Sequence, residues 1–262
     1  MQFHFQNQST LLSHIQYSEN ILSIYFTAGY PKLSDTQVII TELEKNGTDL
    51  IEIGMPFSDP VADGPVIQHS SEIALKNGMT IHLLFEQLKE IRKSVSIPLI
   101  LMGYLNPVLQ YGIEDFCKKC NEIGIDGTII PDLPLEIYET EYKDVFEKNS
   151  LSNIFLVTPQ TSDERIRKID ALSTGFIYLV SSSSTTGVKG AVNKEQIAYF
   201  ERIRSLNLHS KLLIGFGISD KASFEKASGF ANGAIIGSAF VKTLADEGDI
   251  ESNVNGFVQK FY

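Results

Sequence analysis

The sequence predicts an α/β fold: a single closed (β/α)8 barrel, in which eight parallel strands alternate with helices. Three observations point there. Short runs rich in Ile, Leu and Val, apolar on both faces, recur along the chain, as strands buried on both sides do. Helical patterns separate them, which implies parallel pairing through right-handed crossovers. A length of 262 residues suits eight such units. No G-x-G-x-x-G follows the first strand, as an open dinucleotide-binding sheet would require.

In chain order the strands are expected at Ile21–Thr27, Asp49–Ile53, Pro98–Met102, Gly127–Ile130, Asn153–Val157, Phe176–Val180, Lys211–Gly215 and Gly233–Ile236. The intervening helices are expected at Ser34–Asn46, Ile81–Val95, Ile113–Ile123, Ile137–Lys148, Ser162–Leu172, Lys194–Leu206, Asp220–Ser228 and Ser238–Leu244. Ser34, Thr80 and Ser162 are good N-cap residues, with acidic side chains following at Asp35, Asp163 and Glu164. Gly47, Gly124 and Gly229 stand where a left-handed C-cap usually falls. Two helices are expected outside the eight-fold pattern: Thr10–Tyr17 before the first strand, and Pro65–Asn77 after the second. No linker or low-complexity run divides the chain, so residues 1–262 are read as one TIM-barrel domain.

Composition excludes several functions. A net charge of −10 argues against nucleic acid, because phosphate backbones select basic surfaces. It leaves room for a small anionic substrate, since backbone N–H groups and a helix N-terminus hold a phosphate without cationic side chains. No stretch has the ~20 apolar residues of a membrane span. The polar N-terminus does not read as a signal peptide, so a cytoplasmic location is expected. The two cysteines, Cys117 and Cys120, lie inside a helical pattern and read as ordinary thiols. The five histidines share no ligand spacing, and no metal site is expected.

Catalytic groups in such a barrel sit at the C-terminal ends of strands. Glu52 lies there on the second strand, between the apolar Ile51 and Ile53. Alternation points it away from both, into the barrel or its mouth. A carboxylate there is costly unless paired, protonated or used; a structural Glu with a buried partner would give the same pattern. The loop that follows, G-M-P-F-S-D-P-V-A-D-G-P, adds Asp59 and Asp63 and is stiffened by Pro56, Pro60 and Pro65. A stiff acidic loop suits a carboxylate held against a substrate for acid–base work. Taken singly, each Asp also fits a turn or cap. At the far end of the chain, the sixth, seventh and eighth strands open into S-S-S-S-T-T-G-V-K-G, G-F-G-I-S and I-I-G-S-A. Small residues there let backbone N–H groups approach an anion, at the usual phosphate position of the fold.

These segments together closely resemble the α subunits of tryptophan synthase. The resemblance rests on the run from Ile51 to Pro65, on F-T-A-G-Y-P at Phe26–Pro31, on Asn106–Pro107, on P-D-L-P at Pro131–Pro134, on G-F-G-I-S at Gly215–Ser219 and on G-S-A at Gly237–Ala239. It implies a lyase that cleaves indole-3-glycerol phosphate to indole and glyceraldehyde 3-phosphate by a reversible retro-aldol reaction. It also implies roles. Glu52 would move the protons, Asp63 would stabilise the indole ring as it gains positive charge, and Tyr178 would orient Glu52 or the substrate. Asp59 becomes a loop or subunit-contact residue. Gly187, Gly217, Gly237 and Ser238 would hold the phosphate. Tyr25, Tyr104, Thr186 and Phe216 would line the indole pocket. Residues 181–192 resemble a lid, although Ser182–Thr185 depart from the Arg and Gly often found there. The resemblance further implies an αββα complex, with pyridoxal phosphate carried only by the β subunit and the β-facing surface near Pro56–Pro60, Asn106–Gln110 and Pro134. Two other readings share part of this pattern: another phosphate-handling barrel, which would lack the Ile51–Pro65 run, and a catalytically idle binding subunit, which would not need Glu52, Asp63 and Tyr178 together.

Overall fold

A computed structural model describes residue 11 and residues 15–180, 194–215 and 217–262. Eight strands close a parallel barrel in sequence order. They are β1 (Ile21–Thr27), β2 (Leu50–Gly54), β3 (Leu99–Met102), β4 (Gly127–Ile129), β5 (Ser152–Val157), β6 (Phe176–Val180), β7 (Lys211–Gly215) and β8 (Gly233–Ile236). Closure comes from β1, which pairs with β2 on one side and β8 on the other. The expected strand positions hold to within a residue at either end.

Strand alternation makes two cores. Ile21, Leu50, Ile100, Ile129, Ile154, Phe176, Leu213 and Ile235 pack with one another, joined by Leu11 and Ile15 from the segment before β1. This is the barrel interior, filled by branched and aromatic side chains as such barrels require. The alternate residues, among them Ile24, Ile51, Ile53, Leu99 and Leu101, pack under the surrounding helices. Of the helix expected at Thr10–Tyr17, Leu11 and Ile15 are helical and Gln16 and Tyr17 form a turn; the other four lie outside the described residues.

The helix after β2, Pro65–Lys76, forms as expected, with Pro65 in its first turn. Thr80 and Ser162 cap their helices, accepting from Leu83 N and Arg165 N at 3.1 and 3.3 Å. Several expectations change. The helix assigned to Ile81–Val95 ends at Leu88 and is followed by a 3-10 turn at Ile91–Lys93. The helix assigned to Ser34–Asn46 begins at Thr36, and Asp35 rather than Ser34 holds the cap position. Gly229 has φ −69°, so its helix ends right-handed, whereas Gly47 and Gly124 are left-handed at 100° and 81°. A helix at Leu105–Tyr111 follows β3, where none was expected. Its Asn106–Pro107 pair reads as a turn, but proline is tolerated in a first helical turn. A C-terminal helix at Ile250–Val258 was also not expected, because Gly256 and two asparagines weaken its intrinsic propensity. Packing supplies what propensity lacks. Phe257 stacks near Phe240 at 5.2 Å between ring centroids, and Asn255 donates to Asn46 at 2.7 Å.

Candidate active site

Glu52 lies on β2 in register with Tyr25 of β1, and both are buried. Glu52 is fully enclosed. Ser23 Oγ donates to its Oε1 at 3.0 Å, and its Oε2 has no hydrogen-bond partner among the described residues. Burial outweighs the single donor and pushes the Glu52 carboxyl up to about 8. The group therefore holds a proton at neutral pH and can both give and take one.

The loop after β2 brings Asp63 to the same end of the barrel. Met55 N donates to Met102 O at 2.7 Å, tying the loop's start to β3. Asp63 N donates to Pro60 O at 3.1 Å, and Gln68 Nε2 donates to Asp63 O at 2.8 Å. The backbone around Asp63 is thus fixed from both sides. Its carboxylate accepts from Tyr104 Oη at 3.0 Å, while that same hydroxyl accepts from Ala62 N at 3.0 Å. Burial raises the Asp63 carboxyl to about 6, with the Tyr104 bond opposing the shift. Asp63 is thereby ionised at neutral pH while Glu52 is not. Asp59 is exposed; its carboxylate accepts from its neighbour Ser58, and its backbone carbonyl accepts from Val61 N at 2.9 Å.

The fields of both carboxylates converge on two tyrosines. Tyr178, on the interior face of β6, is raised well above the ordinary phenol range by burial, then by Glu52 and Asp63. Tyr25 is raised by burial, then by Asp63, with Glu52 contributing. Each ring lies over a glycine. A Cβ at Gly54 would collide with the Tyr25 hydroxyl, and one at Gly215 with the Tyr178 hydroxyl. Thr27 Oγ1 and Ser70 Oγ lie 2.6 Å apart, and Ser70 Oγ donates to Ile67 O at 2.8 Å. With that proton committed, Thr27 donates to Ser70 and its oxygen receives the Tyr25 hydroxyl at 3.4 Å.

A pocket opens at the strand ends, lined by Tyr25, Met55, Phe57, Asp63, Met102, Gly103, Tyr104 and Pro131 among others. Phe57 and Tyr104 form one wall, with centroids 5.4 Å apart. Glu52 does not line this pocket; its register partner Tyr25 does. Two of the residues expected to line an indole pocket, Tyr25 and Tyr104, are thus brought together with Asp63. Thr186 and Phe216 lie outside the described residues, as do Gly187 and residues 181–192. Gly217 follows β7 with φ +79°, and Gly237 and Ser238 follow β8, where Ser238 starts the helix Ser238–Thr243. A Cβ at Gly237 would meet Tyr25 and Ile67 at no closer than 3.5 Å, so this turn faces the β1 side of the mouth.

A family profile described as tryptophan synthase alpha chain matches residues 12–261. The chain belongs to the tryptophan synthase alpha chain family. The relative from Flavobacterium johnsoniae is 61% identical over 247 residues, covering 94% of this chain and 95% of that protein. The tryptophan synthase A-subunit from Pyrococcus furiosus superposes with a TM-score of 0.85 at 33% identity, over 93% of this chain and 98% of that one. A chain from the P. furiosus tryptophan synthase complex gives 0.84 at 32%, with the same coverage. The function is that of the family: this is a lyase of tryptophan biosynthesis, which cleaves indole-3-glycerol phosphate. Sequence reasoning missed Ser23, Thr27 and Ser70. The signal was available for the first two. In the buried strand I-L-S-I-Y-F-T, Ser23 and Thr27 share Tyr25's face, where polar side chains need a reason.

Proposed function

We propose that Glu52 and Asp63 divide the chemistry of cleavage by protonation state. Glu52, neutral at working pH, protonates the indole ring at C3. The ring becomes an electrophilic iminium-like cation, and the anionic Asp63 stabilises it at the indole nitrogen, where a carboxylate in a dry site is most effective. The Glu52 carboxylate left behind then takes the proton of the glycerol hydroxyl. The C–C bond breaks, its electron pair returns to the indole ring, and the aldehyde forms. Protons balance: the hydroxyl proton replaces the one given to C3. The observation that carries this reading is the contrast between the two buried carboxyls, one near 8 and one near 6. Pairs whose environments separate them in this way divide acid and base roles.

Tyr178 orients the Glu52 carboxyl or the substrate, and Tyr25 and Tyr104 bound the indole ring with Thr186 and Phe216. Gly217, Gly237 and Ser238, with Gly187, receive the phosphate on backbone N–H groups. The chain works with a β subunit in an αββα complex. The exposed Val61 and Leu109, on the loop after β2 and the helix after β3, suit a covered face there. No cofactor is assigned to this chain; pyridoxal phosphate belongs to the β subunit. A cytoplasmic location goes with this reading and suits the free thiols of Cys117 and Cys120.

An indole-release assay on Glu52→Gln and Asp63→Asn tests the division. Both variants are expected to stay folded and to lose nearly all turnover, on the order of the 10²–10⁴-fold that general acid–base groups contribute. Turnover close to wild type in either one overturns its role. Gly237→Asp is expected to raise KM by setting a negative charge against the phosphate; an unchanged KM counts against that site.

A further inference from the structure

Ser23 occupies a place in the barrel that branched apolar side chains usually fill. It is fully buried on β1 and shares the inward face of that strand with Ile21 and Tyr25. Its backbone pairs with Leu50, one interior step below Glu52. A hydroxyl enclosed there is costly without a partner. Among the described residues its side-chain hydrogen bond goes to Glu52 Oε1, at 3.0 Å. The other carboxyl oxygen, Oε2, is equally buried and has no partner among them. The two oxygens of Glu52 are therefore not equivalent: one is anchored to the barrel wall and the other is left open.

We propose that Ser23 is a positioning residue for the lyase reaction, holding the Glu52 carboxyl by Oε1 so that Oε2 is the oxygen that exchanges protons with substrate. This rests on the assignment of Glu52 as the group that moves the protons. Three consequences follow from the geometry. A donor at Oε1 directs the acid proton of Glu52 to Oε2, the oxygen without a hydrogen-bond partner among the described residues. The same donor stabilises the carboxylate after the proton has left, so Glu52 is a stronger acid with Ser23 than without it. Rotation of the carboxyl about its last bond, which would exchange the two oxygens, costs this hydrogen bond. If Ser23 only filled space, removing its hydroxyl would change stability and leave the titration of Glu52 where it is.

Carbon-13 labelling of glutamate side-chain carboxyls lets the titration of Glu52 be followed by NMR in the full chain, with its signal identified by its absence in Glu52→Gln. In Ser23→Ala the midpoint is expected to rise by about one pH unit, the size of effect set by one hydrogen bond to a charged group. In the same variant kcat is expected to fall by about ten-fold with KM changed by less than about two-fold, since the bond serves the proton transfer and touches no substrate. An unmoved midpoint in folded Ser23→Ala overturns the proposal. If Ser23→Ala does not fold, Ser23→Cys decides: a thiol of similar shape is a weaker donor, and a midpoint equal to wild type overturns the proposal while a raised one supports it. The two assignments fail separately. Wild-type indole release by Glu52→Gln removes Glu52 from the chemistry whatever Ser23 does. An inactive Glu52→Gln beside an unmoved Ser23→Ala titration removes only Ser23.

Discussion

In the proposed reading, Glu52 is a group whose function and stability oppose each other. Its folded value near 8 lies above its ordinary 4.5. Between these values the folded chain keeps a proton that the unfolded chain releases, so rising pH favours unfolding across that window. Glu52→Gln removes the titration. The variant is expected to melt above wild type at about pH 8, with the gap closing toward about pH 5. Melting curves for both proteins across that range check this, and a gap that widens toward the acid side contradicts the raised value. Asp63 responds to a different neighbour. The Tyr104 hydroxyl donates to it and lowers its proton affinity against the pull of burial. Tyr104→Phe is expected to raise the Asp63 value above about 6, so that the acidic limb of the kcat/KM profile moves to higher pH by about one unit. A limb that stays in place would mean that ionised Asp63 is not what the profile reports.

The elements explain why these side chains meet. β1 and β2 place Tyr25 beside Glu52 in register, while β6 sends Tyr178 inward from across the barrel. Both tyrosines depend on a missing side chain at a strand end, at Gly54 on β2 and Gly215 on β7. The demand is steric, made by a ring and not by backbone conformation. Gly215→Ala is therefore expected to push the Tyr178 hydroxyl aside, cutting kcat by about 10–100-fold, as misplacement near ~1 Å does. It is also expected to cost roughly 1–3 kcal/mol of stability, the usual range for overpacking. Steady-state kinetics and a denaturant melt measure the two effects. The added Cβ would also meet the ring carbons Cζ and Cε1, so the double variant Gly215→Ala/Tyr178→Ala, which removes the whole ring, discriminates: its stability loss should be smaller than the sum of the two single losses, with no recovery of rate.

The molecule as a whole separates its ends by task. The carboxylates, tyrosines and glycine turns lie at the C-terminal ends of the strands. At the opposite end Asp126, just before β4, accepts from Leu99 N at 2.8 Å and pairs with Arg92. Arg92 also donates to Gly124 O and Ile97 O at 2.8 and 2.6 Å, closing the barrel floor between β3 and β4. Asp126→Ala leaves the Leu99 N–H without its acceptor and removes the charge partner of Arg92, which keeps its bonds to Gly124 O and Ile97 O. It is expected to destabilise by roughly 1–3 kcal/mol, the cost of an unmet buried hydrogen-bonding group. Indole release per folded molecule should be unchanged, because conservation of geometry at the floor serves stability and not chemistry. A large fall in kcat below the melting range would mean that the floor is coupled to the site.

Strand positions, barrel class and the inward direction of Glu52 were legible in the amino-acid order because they depend on local periodicity. Runs apolar on both faces mark the strands, and a single Glu out of phase with Ile51 and Ile53 marks the interior. The role of Asp63 over Asp59 came from the resemblance of the Ile51–Pro65 run, since each Asp alone fits a turn. Other features were not legible because they depend on contacts between distant residues. The helix at Ile250–Val258 exists through Phe240 and Asn46, against its own propensity. The cap at Gly229 is right-handed despite the glycine. The difference between Glu52 and Asp63 as acids depends on which neighbour donates to each: Ser23 across one strand pair, and Tyr104 from forty-one residues away. Periodicity assigns a side chain to a face. Only the closed barrel determines which polar atoms meet there, and those meetings set the proton affinities on which the proposed division of acid and base roles rests.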